Sequence, residues 1–163
     1  MKLIKLIFFS VLSLFVVASF IGILLPSHVL VSRAVDIMAA KDSVKPYIVD
    51  IQRWKKWMEG MDQASVIIHS PVKADIAGTE VMITNITDSS VVSIWTPKKG
   101  IRQTSTVRII GTNAQNQVIV QWQFEQQLPW YPWERLGSMM NDKILGTMME
   151  RNLNHLKELA EQN

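Results

Sequence analysis

The sequence contains no cysteine, and this absence excludes several structures and chemistries at once. Such a chain forms no disulfide, offers no thiolate to a metal and has no cysteine nucleophile. It also lacks the acylated N-terminal cysteine of bacterial lipoproteins. The absence does not decide the cellular compartment of the protein.

A large excess of charge is missing as well. The formal charge is +3, but two of the 17 basic residues, Lys2 and Lys5, precede a long apolar run. The rest of the basic residues nearly balance the 14 acidic ones. Proteins that bind nucleic acids normally carry a clearly basic surface. We therefore expect no nucleic-acid partner.

Recognisable catalytic and metal-binding patterns are also missing. The three histidines, His28, His69 and His155, are far apart in the sequence. There is no His-Glu-x-x-His pair, no glycine-rich phosphate loop and no nucleophile elbow. We therefore predict no catalytic residue, no metal site and no cofactor. The sequence favours a protein that is not an enzyme, without deciding the question.

One long hydrophobic run is present, near the N-terminus. Leu6–Leu25 contains 20 consecutive uncharged residues, and a helix of this length spans about 30 Å, the thickness of a bilayer's hydrocarbon core. A cleaved signal peptide is the competing interpretation, but its apolar region is usually shorter, and Val16-Val17-Ala18 is a poor cleavage site. We predict a transmembrane anchor over residues 1–26, with residues 6–25 in the bilayer.

The lysines before this run predict the orientation of the anchor. Positive residues tend to stay in the cytoplasm, which places Lys2 and Lys5 inside and the rest of the chain outside. Arg33, Lys41 and Lys45 weaken the asymmetry. The expected location is the inner membrane of a bacterium, with a single pass and the domain on the periplasmic or extracellular side.

The remainder, residues 27–163, is long enough for one domain of mixed helices and strands. Alternation predicts a first strand over His28–Met38. A short helix follows up to Asp50, capped by Asp42 or Ser43 and with Pro46 in its first turn. A second helical piece carries Trp54 and Trp57 and ends at Gly60.

Short runs of β-type sequence separated by turn residues then predict an antiparallel meander. A long amphipathic helix closes the chain over Glu134–Glu161. Its apolar stripe must pack on the inner face of the sheet; it consists of Leu136, Met140, Leu145, Met149, Leu153, Leu156 and Ala160. The five further strands are predicted at Ser65–His69, Thr79–Thr87, Ser90–Thr96, Ile101–Ile110 and Gln117–Gln126.

Three segments carry a resemblance to known proteins: Val31–Ile37 with the Trp54–Trp57 pair, Val120–Phe124, and Tyr131–Leu136 leading to Asn154–Lys157. Their order and spacing resemble the helix-grip superfamily of START-like proteins and polyketide cyclases, often labelled SRPBCC. The resemblance covers about residues 28–161 and is closest to its membrane-anchored bacterial members. It implies a curved antiparallel sheet around a long C-terminal helix. The family usually has seven strands, so either a seventh is hidden around Pro71–Ala77 or the sheet is shortened.

The same resemblance implies a hollow between the sheet and the long helix. Gln103 and Ser105 are polar residues on an otherwise apolar face, so they either satisfy each other or face a cavity. Methionines on the long helix suit an adaptable apolar pocket. The candidate cavity residues are Trp54, Trp57, Gln103, Ser105, Trp122, Phe124, Met140 and Met149.

Three functional hypotheses follow. The first is a membrane-tethered domain that binds an apolar or amphipathic small molecule, such as a lipid. The second is a non-enzymatic envelope interaction or structural protein, with an unidentified protein partner, whose cavity is filled by its own side chains. The third, an enzyme of the cyclase type, has the least support because no acid/base set is evident.

Overall fold

The computed structural model describes residues 2–24, 27–112, 114, 116–129 and 132–162, and within these ranges every side chain except those at 2, 3, 23, 132–134 and 136–141. Its elements, in chain order, are α1 (Lys2–Leu24), β1 (His28–Ile37), α2 (Lys41–Val49), α3 (Ile51–Trp54), β2 (Val66–Ser70), β3 (Lys73–Ile76), β4 (Thr79–Ile86), β5 (Ser90–Pro97), β6 (Gln103–Ile110), β7 (Val118–Gln127) and α4 (Pro132–Glu161).

Helix α1 is the N-terminal apolar segment. Its stretch Ile4–Gly22 is long and apolar enough to cross a membrane, and its large apolar side chains are exposed. Large side chains such as Phe8 and Phe20 are about as exposed as charged residues usually are. A membrane span is therefore compatible with the length and surface of this helix, and its role as an anchor stays a prediction.

The strands form one antiparallel sheet in the order β1-β7-β6-β5-β4-β3-β2. Consecutive strands from β2 to β7 are neighbours, as a meander requires, and β7 pairs on its other side with β1, the edge strand. Val31 lies opposite Phe124, and Val35 lies opposite Val120. The predicted sheet is therefore confirmed, and the chain's first and last strands lie side by side.

The seventh strand is the one that the sequence left open. It is β3, Lys73–Ile76, within the region Pro71–Ala77. This strand has four residues, and only Ala74 is fully buried. Two polar residues and the small alanine give too weak an alternation for a sequence pattern to reveal it. The described part of the chain therefore has a seven-stranded sheet, the number of strands that the resemblance implies.

The start of α2 differs from the prediction. Its N-cap is Ala40, which makes no side-chain capping bond, so neither Asp42 nor Ser43 caps the helix. Both residues lie inside the first turn, where Asp42 faces the positive end of the helix dipole. Pro46 consequently lies beyond the first turn rather than within it. Asp50 instead caps α3, accepting a hydrogen bond of 2.9 Å from the backbone N–H of Gln52.

Helix α4 runs in the same direction as β1 and packs across the inner face of the sheet. Arg33 Nε of β1 donates to Glu150 Oε1 at 2.6 Å, and the Met38 N–H donates to Glu161 Oε1 at 2.8 Å. Gly146, about one turn before Glu150, lies against the guanidinium of Arg33, so a Cβ there would force this side chain to shift. The buried residues of the predicted stripe are Met149, Leu153, Leu156 and Ala160, with Leu145 partly buried, while the side chains of Leu136 and Met140 lie outside those described.

The start of α4 contacts the end of α1. Arg135 donates from Nη1 to the Gly22 carbonyl at 2.6 Å and from Nε to the Pro129 carbonyl at 3.2 Å. The last carbonyls of a helix have no partner within the helix and carry its negative dipole end, so a guanidinium is a suitable partner. Arg135 thereby links the end of the apolar helix to the closing helix of the domain.

Candidate ligand cavity

Five aromatic side chains, each in contact with the next, form a closed circle in the middle of the space between the sheet and the helices. This circle is called the aromatic ring below. Trp54 and Trp57 come from α3 and the turn after it, Trp95 from β5, and Trp122 and Phe124 from β7. Trp54 stacks on Trp95 with centroids 6.2 Å apart and planes 8° apart. The other neighbours, namely Trp54–Trp57, Trp57–Trp122, Trp122–Phe124 and Phe124–Trp95, have centroids 5.4–6.4 Å apart.

Each indole N–H in this aromatic ring has an acceptor. Trp54 Nε1 donates to the Ile48 carbonyl and Trp57 Nε1 to the Tyr47 carbonyl, both at 2.9 Å. Buried tryptophans usually require such a partner. The remaining two donate to serine hydroxyls: Trp95 Nε1 to Ser93 Oγ at 3.0 Å and Trp122 Nε1 to Ser105 Oγ at 2.8 Å. The ring is therefore a fixed part of the core.

A cavity of about 230 Å³ lies next to this ring, between the sheet and α4. Its walls are mainly apolar, and two side-chain amides provide its polar surface. Phe124 separates it from Trp122, so one ring member is also a cavity wall. The lining residues are Val29 and Val31 of β1, Gln103 of β6, Phe124 and Gln126 of β7, and Ile144, Leu145 and Met148 of α4.

The register places this cavity at one end of the sheet. Val29 lies opposite Gln126, which in turn lies opposite Gln103. These residues form a row across β1, β7 and β6, one position from His28, where the chain enters the domain after α1. Ile144, which is 68% exposed, forms the rim. The cavity is thus at the end of the domain that faces the apolar helix.

The two polar residues predicted on the inner face have different environments. Ser105 is buried and accepts the Trp122 indole N–H. Gln103 lines the cavity and donates from Nε2 to Gln126 Oε1 at 3.3 Å. They do not satisfy each other, so that alternative is wrong. Gln103 faces the cavity, which is the other alternative, while Ser105 belongs to the core.

The other candidate residues are also divided between the core and the cavity. Phe124 lines the cavity, whereas Trp54, Trp57, Trp122 and Met149 are at most 3% exposed and do not line it. The side chain of Met140 lies outside those described. Whether any of the candidates contacts a ligand stays a prediction.

Comparisons with known proteins agree on the fold. No protein-family model and no curated protein sequence matches the chain. Solved structures do: a protein from Nitrosospira multiformis has 8% identity and a TM-score of 0.62 over 80% of this chain and 94% of its own. A START superfamily protein from Mycobacterium smegmatis has 10% identity and a TM-score of 0.50 over 82% and 94%.

The di-domain ARO/CYC protein StfQ from the steffimycin biosynthetic pathway has 11% identity and a TM-score of 0.62. That match covers 83% of this chain and 51% of StfQ, so the chain spans about half of StfQ's length. The chain has a START-like helix-grip fold. Identities this low establish the fold, and the resemblance predicted from sequence is confirmed at that level; they do not transfer an activity.

Several cavity residues of this helix-grip domain were not among the candidates. Val29, Val31, Gln126, Ile144 and Met148 line the cavity, and Trp95 completes the aromatic ring. Gln126 continues the two-residue period of Trp122 and Phe124, so the alternation of β7 contains a signal for it. Ile144 gives no such signal, because it is an exposed apolar residue at the rim of the helical stripe.

The charged groups of the helix-grip domain pair away from the cavity. Lys41 of α2 is only 8% exposed in its side chain, and it bonds to Asp88 at the tip of the β4–β5 hairpin. Lys45 also binds Asp88, with Nζ 3.2 Å from Oδ1. The hydrogen bond from Lys41, followed by that from Lys45, holds the pKa of Asp88 below its usual value. Among the described residues, no three His, Cys, Asp or Glu side chains are grouped as a metal site would require.

We expect Asp88→Asn to lower the melting temperature at neutral pH, because it leaves the nearly buried Lys41 without its carboxylate. The pKa of Asp88 is lower in the folded protein than its ordinary 3.8, so its contribution is complete well above 3.8 and is lost as the pH falls through the lowered value. The difference between wild type and variant should therefore narrow below pH 3.8. Thermal unfolding, followed by circular dichroism from about pH 2.5 to about pH 8, measures this difference, because that range brackets the titration of a carboxyl group.

The matched control is Asp62→Asn, which changes an exposed aspartate with no ion pair to a described residue. Its melting temperature should follow that of the wild type throughout. A constant difference for Asp88→Asn at every pH would contradict a role for the charged pair.

Proposed function

We propose that this chain is a membrane-tethered domain that binds an apolar or amphipathic small molecule, with a lipid as the candidate class. The observation that carries the proposal is the cavity of about 230 Å³ between β1, β6, β7 and α4. Ligand sites typically combine apolar walls with a few placed polar groups. Here the walls are aliphatic and aromatic, and the polar groups are the amides of Gln103 and Gln126.

The volume limits the ligand. An apolar cavity of about 150 Å³ already binds benzene, whereas sites for drug-sized molecules are about 300–1,000 Å³. A cavity between these values suits a single ring or a short acyl segment. The aromatic ring of Trp54, Trp57, Trp95, Trp122 and Phe124 occupies the space that a larger ligand would need.

The two amides define the polar end of that ligand. Their mutual hydrogen bond of 3.3 Å uses one N–H of Gln103 and the carbonyl oxygen of Gln126. An amide side chain has two N–H donors and one carbonyl acceptor, so donors and an acceptor remain for a ligand. A hydroxyl, carbonyl or carboxyl group fits this pair. The apolar part then packs against Val29, Leu145 and Met148.

The tether gives the cavity its setting. Helix α1 supports a membrane attachment by its length and apolar surface, and the preceding lysines support a cytoplasmic N-terminus. On this orientation the domain is outside the cytoplasm. An amphipathic ligand dissolved in the bilayer would then be concentrated next to the end of the domain that contains the cavity.

We expect Val29→Trp to abolish ligand binding, because the larger side chain fills the cavity. The full chain, purified in mild detergent, should release an apolar compound on solvent extraction, detected by mass spectrometry, and should take up a fluorescent fatty acid. Val29→Trp should reduce uptake at least tenfold, equivalent to about 1.4 kcal/mol. Gln103→Leu should weaken binding of ligands with a polar end and leave purely apolar ones less affected.

Leu30→Trp is the matched control, since Leu30 is the next residue on β1, faces away from the core and is 59% exposed. It should bind as the wild type does. If the wild-type chain carries no compound and takes up no fatty acid, the binding function is wrong. Equal loss in both tryptophan variants would indicate a general disturbance of β1 instead of a filled cavity.

The aromatic ring favours a second function, that of an envelope interaction or structural protein without a ligand. Four tryptophans pack against one another or against Phe124, and each has a hydrogen-bond acceptor for its indole N–H. They fill most of the space between the sheet and the helices without a ligand. On this hypothesis the full chain would bring one stoichiometric protein partner out of solubilised membranes. It would do so equally well with Val29→Trp, which distinguishes the two functions.

A further inference from the structure

Three basic residues are grouped in the loop between β5 and β6. Lys98, Lys99 and Arg102, here called the basic loop, are all exposed, and Ile101 between them is half-buried. None of the three forms an ion pair with a described residue. Several cations elsewhere do: Arg33 pairs with Glu150, as given above, and further pairs are Lys41 and Lys45 with Asp88, Lys73 with Glu80, and Arg151 with Glu59. Lys55, Lys56 and Lys143 resemble the loop residues in forming no ion pair with a described residue, but they are not grouped in one loop.

The sheet register places the basic loop at the end of the domain next to α1. Gln103, the first residue of β6, shares a row with Gln126 and Val29. Strands are spaced about 4.8 Å apart, so β6 lies about 10 Å from β1. The Ser27 carbonyl accepts the Leu128 N–H at 2.8 Å, which extends the pairing of β1 with β7 toward the junction with α1. The loop therefore lies close to the point where the chain leaves the apolar helix.

The local charge at this end is positive although the domain as a whole is nearly neutral. The neighbouring carboxylates are Glu125, 3.7 Å from His28 Nδ1, and Glu80, 3.5 Å from Lys73 Nζ. Glu80 thus already pairs with a lysine, and Glu125 lies beside an imidazole. Arg102 lies with His28 and Glu125 around one shallow depression of the outer surface. The three loop cations thus have no described counter-ion of their own.

We propose that the basic loop binds anionic lipid headgroups and holds the domain against the bilayer surface; this inference rests on the membrane tether of the proposed function. A basic residue next to an anionic membrane favours the docked state about fivefold, so three favour it about 100-fold. The row that contains Val29 and Gln126 follows directly behind the loop. Docking by the loop therefore brings the cavity to the headgroup layer.

The absence of cysteine makes a direct test straightforward, because a single introduced cysteine carries a unique label. Thr96→Cys places a fluorophore on an exposed position next to the loop, and Ser89→Cys places one at the opposite end of β5, about 23 Å away. The labelled full chain is reconstituted in nanodiscs of phosphatidylcholine alone or mixed equally with phosphatidylglycerol, containing a headgroup spin label that quenches nearby fluorophores.

We expect strong quenching at Thr96 in the anionic discs, weaker quenching in the neutral ones, and little at Ser89 in either. Raising the salt from about 0.1 M to about 1 M shortens the screening length from about 10 Å to about 3 Å and should remove the difference. The triple variant Lys98→Gln, Lys99→Gln and Arg102→Gln should lose it at low salt. The matched control changes Lys55, Lys56 and Lys157 to Gln, which gives the same charge change outside the loop.

The outcomes separate this inference from the proposed tether. If the full chain fails to co-purify with the discs, the membrane tether is wrong, and the lipid-binding role of the basic loop, which depends on the tether, is wrong as well. If the chain is in the discs but Thr96 is quenched equally in both lipids and in both triple variants, the tether stands and the loop has no lipid-binding role. Loss of quenching in the control variant as well would show a dependence on net charge alone, and it would also overturn the assignment to the loop.

Discussion

Trp122→Ala should lower the free energy of unfolding by roughly 3–5 kcal/mol, the usual loss for removing a buried tryptophan. Trp122 is 1% exposed, touches both Trp57 and Phe124 in the aromatic ring and donates its indole N–H to Ser105. The substitution removes two aromatic contacts and leaves the buried Ser105 hydroxyl without that donor. Since domains are stable by about 5–15 kcal/mol, the loss is a large fraction of the total.

Urea unfolding of the full chain in mild detergent, followed by circular dichroism, measures this change. Trp122→Phe keeps an aromatic ring but removes the N–H, so its loss should be smaller than that of alanine. Gln127→Ala changes an exposed residue on the same strand and should stay within about 0.5 kcal/mol of the wild type. A loss below about 1 kcal/mol for Trp122→Ala would show that the aromatic ring is not a structural centre of the domain.

The same substitution connects stability with ligand size. The space vacated by Trp122 lies behind Phe124, which is a wall of the cavity. We expect Trp122→Ala, if the protein is kept below its unfolding temperature, to accept larger apolar ligands than the wild type. No change in ligand preference would indicate that Phe124 keeps the two spaces separate.

Asn152→Asp should destabilise the domain by roughly 3–5 kcal/mol at pH 7, because it places a charged carboxylate at a fully buried position that holds a neutral amide. Asn152 of α4 is fully buried, and its Oδ1 accepts the backbone N–H of Glu59 at 2.9 Å. Its Nδ2 has no hydrogen-bond partner among the described residues. The site is therefore built for a neutral acceptor, and one backbone donor is too little to stabilise a charge.

The pH dependence gives this prediction its sign. Burial raises the pKa of the new carboxyl in the folded state above its unfolded value, so the group is neutral in both states at low pH. The penalty appears as the pH rises above the unfolded value of about 3.9 and grows by about 1.4 kcal/mol per pH unit up to the folded pKa. The variant should thus regain most of its stability at acidic pH.

Asn154→Asp is the matched control, since Asn154 is exposed and only two residues further along α4. It should unfold like the wild type at every pH. Urea unfolding at about pH 4, 5.5 and 7 compares the two variants, because these values span the expected titration of the buried carboxyl. A loss for Asn152→Asp that does not change with pH would indicate a disturbed contact with Glu59 rather than a buried charge.

The sequence predicts the elements in which one face is uniformly apolar. Strand β7 alternates without a break from Val118 to Phe124, and α4 repeats apolar residues over many turns, so both were found with nearly correct bounds. Strand β3 was uncertain because a single buried alanine produces almost no pattern. The start of α2 was misplaced because its N-cap, Ala40, has no side chain with which to cap the helix.

The cavity was less accessible to sequence reasoning than the fold. Its inner-face residues follow from periodicity, but periodicity cannot say which buried positions touch one another and which border a space. Trp122 and Phe124 share a face of β7, yet only Phe124 lines the cavity. That distinction depends on where Trp57 and Trp95 lie, and these come from distant parts of the chain.

The pairing of β1 with β7 also determines the order in which the protein can fold. Strand β1 leaves the ribosome directly after the apolar helix, but its partner strand β7 and helix α4 are synthesised about 80 residues or more later, as the element order shows. Closing so long a loop costs conformational entropy that is recovered only when the distant contacts form. Until then Val31, Val35 and Ile37 remain uncovered at the start of the domain. Co-translational folding of this chain should therefore be complete only after α4 has emerged.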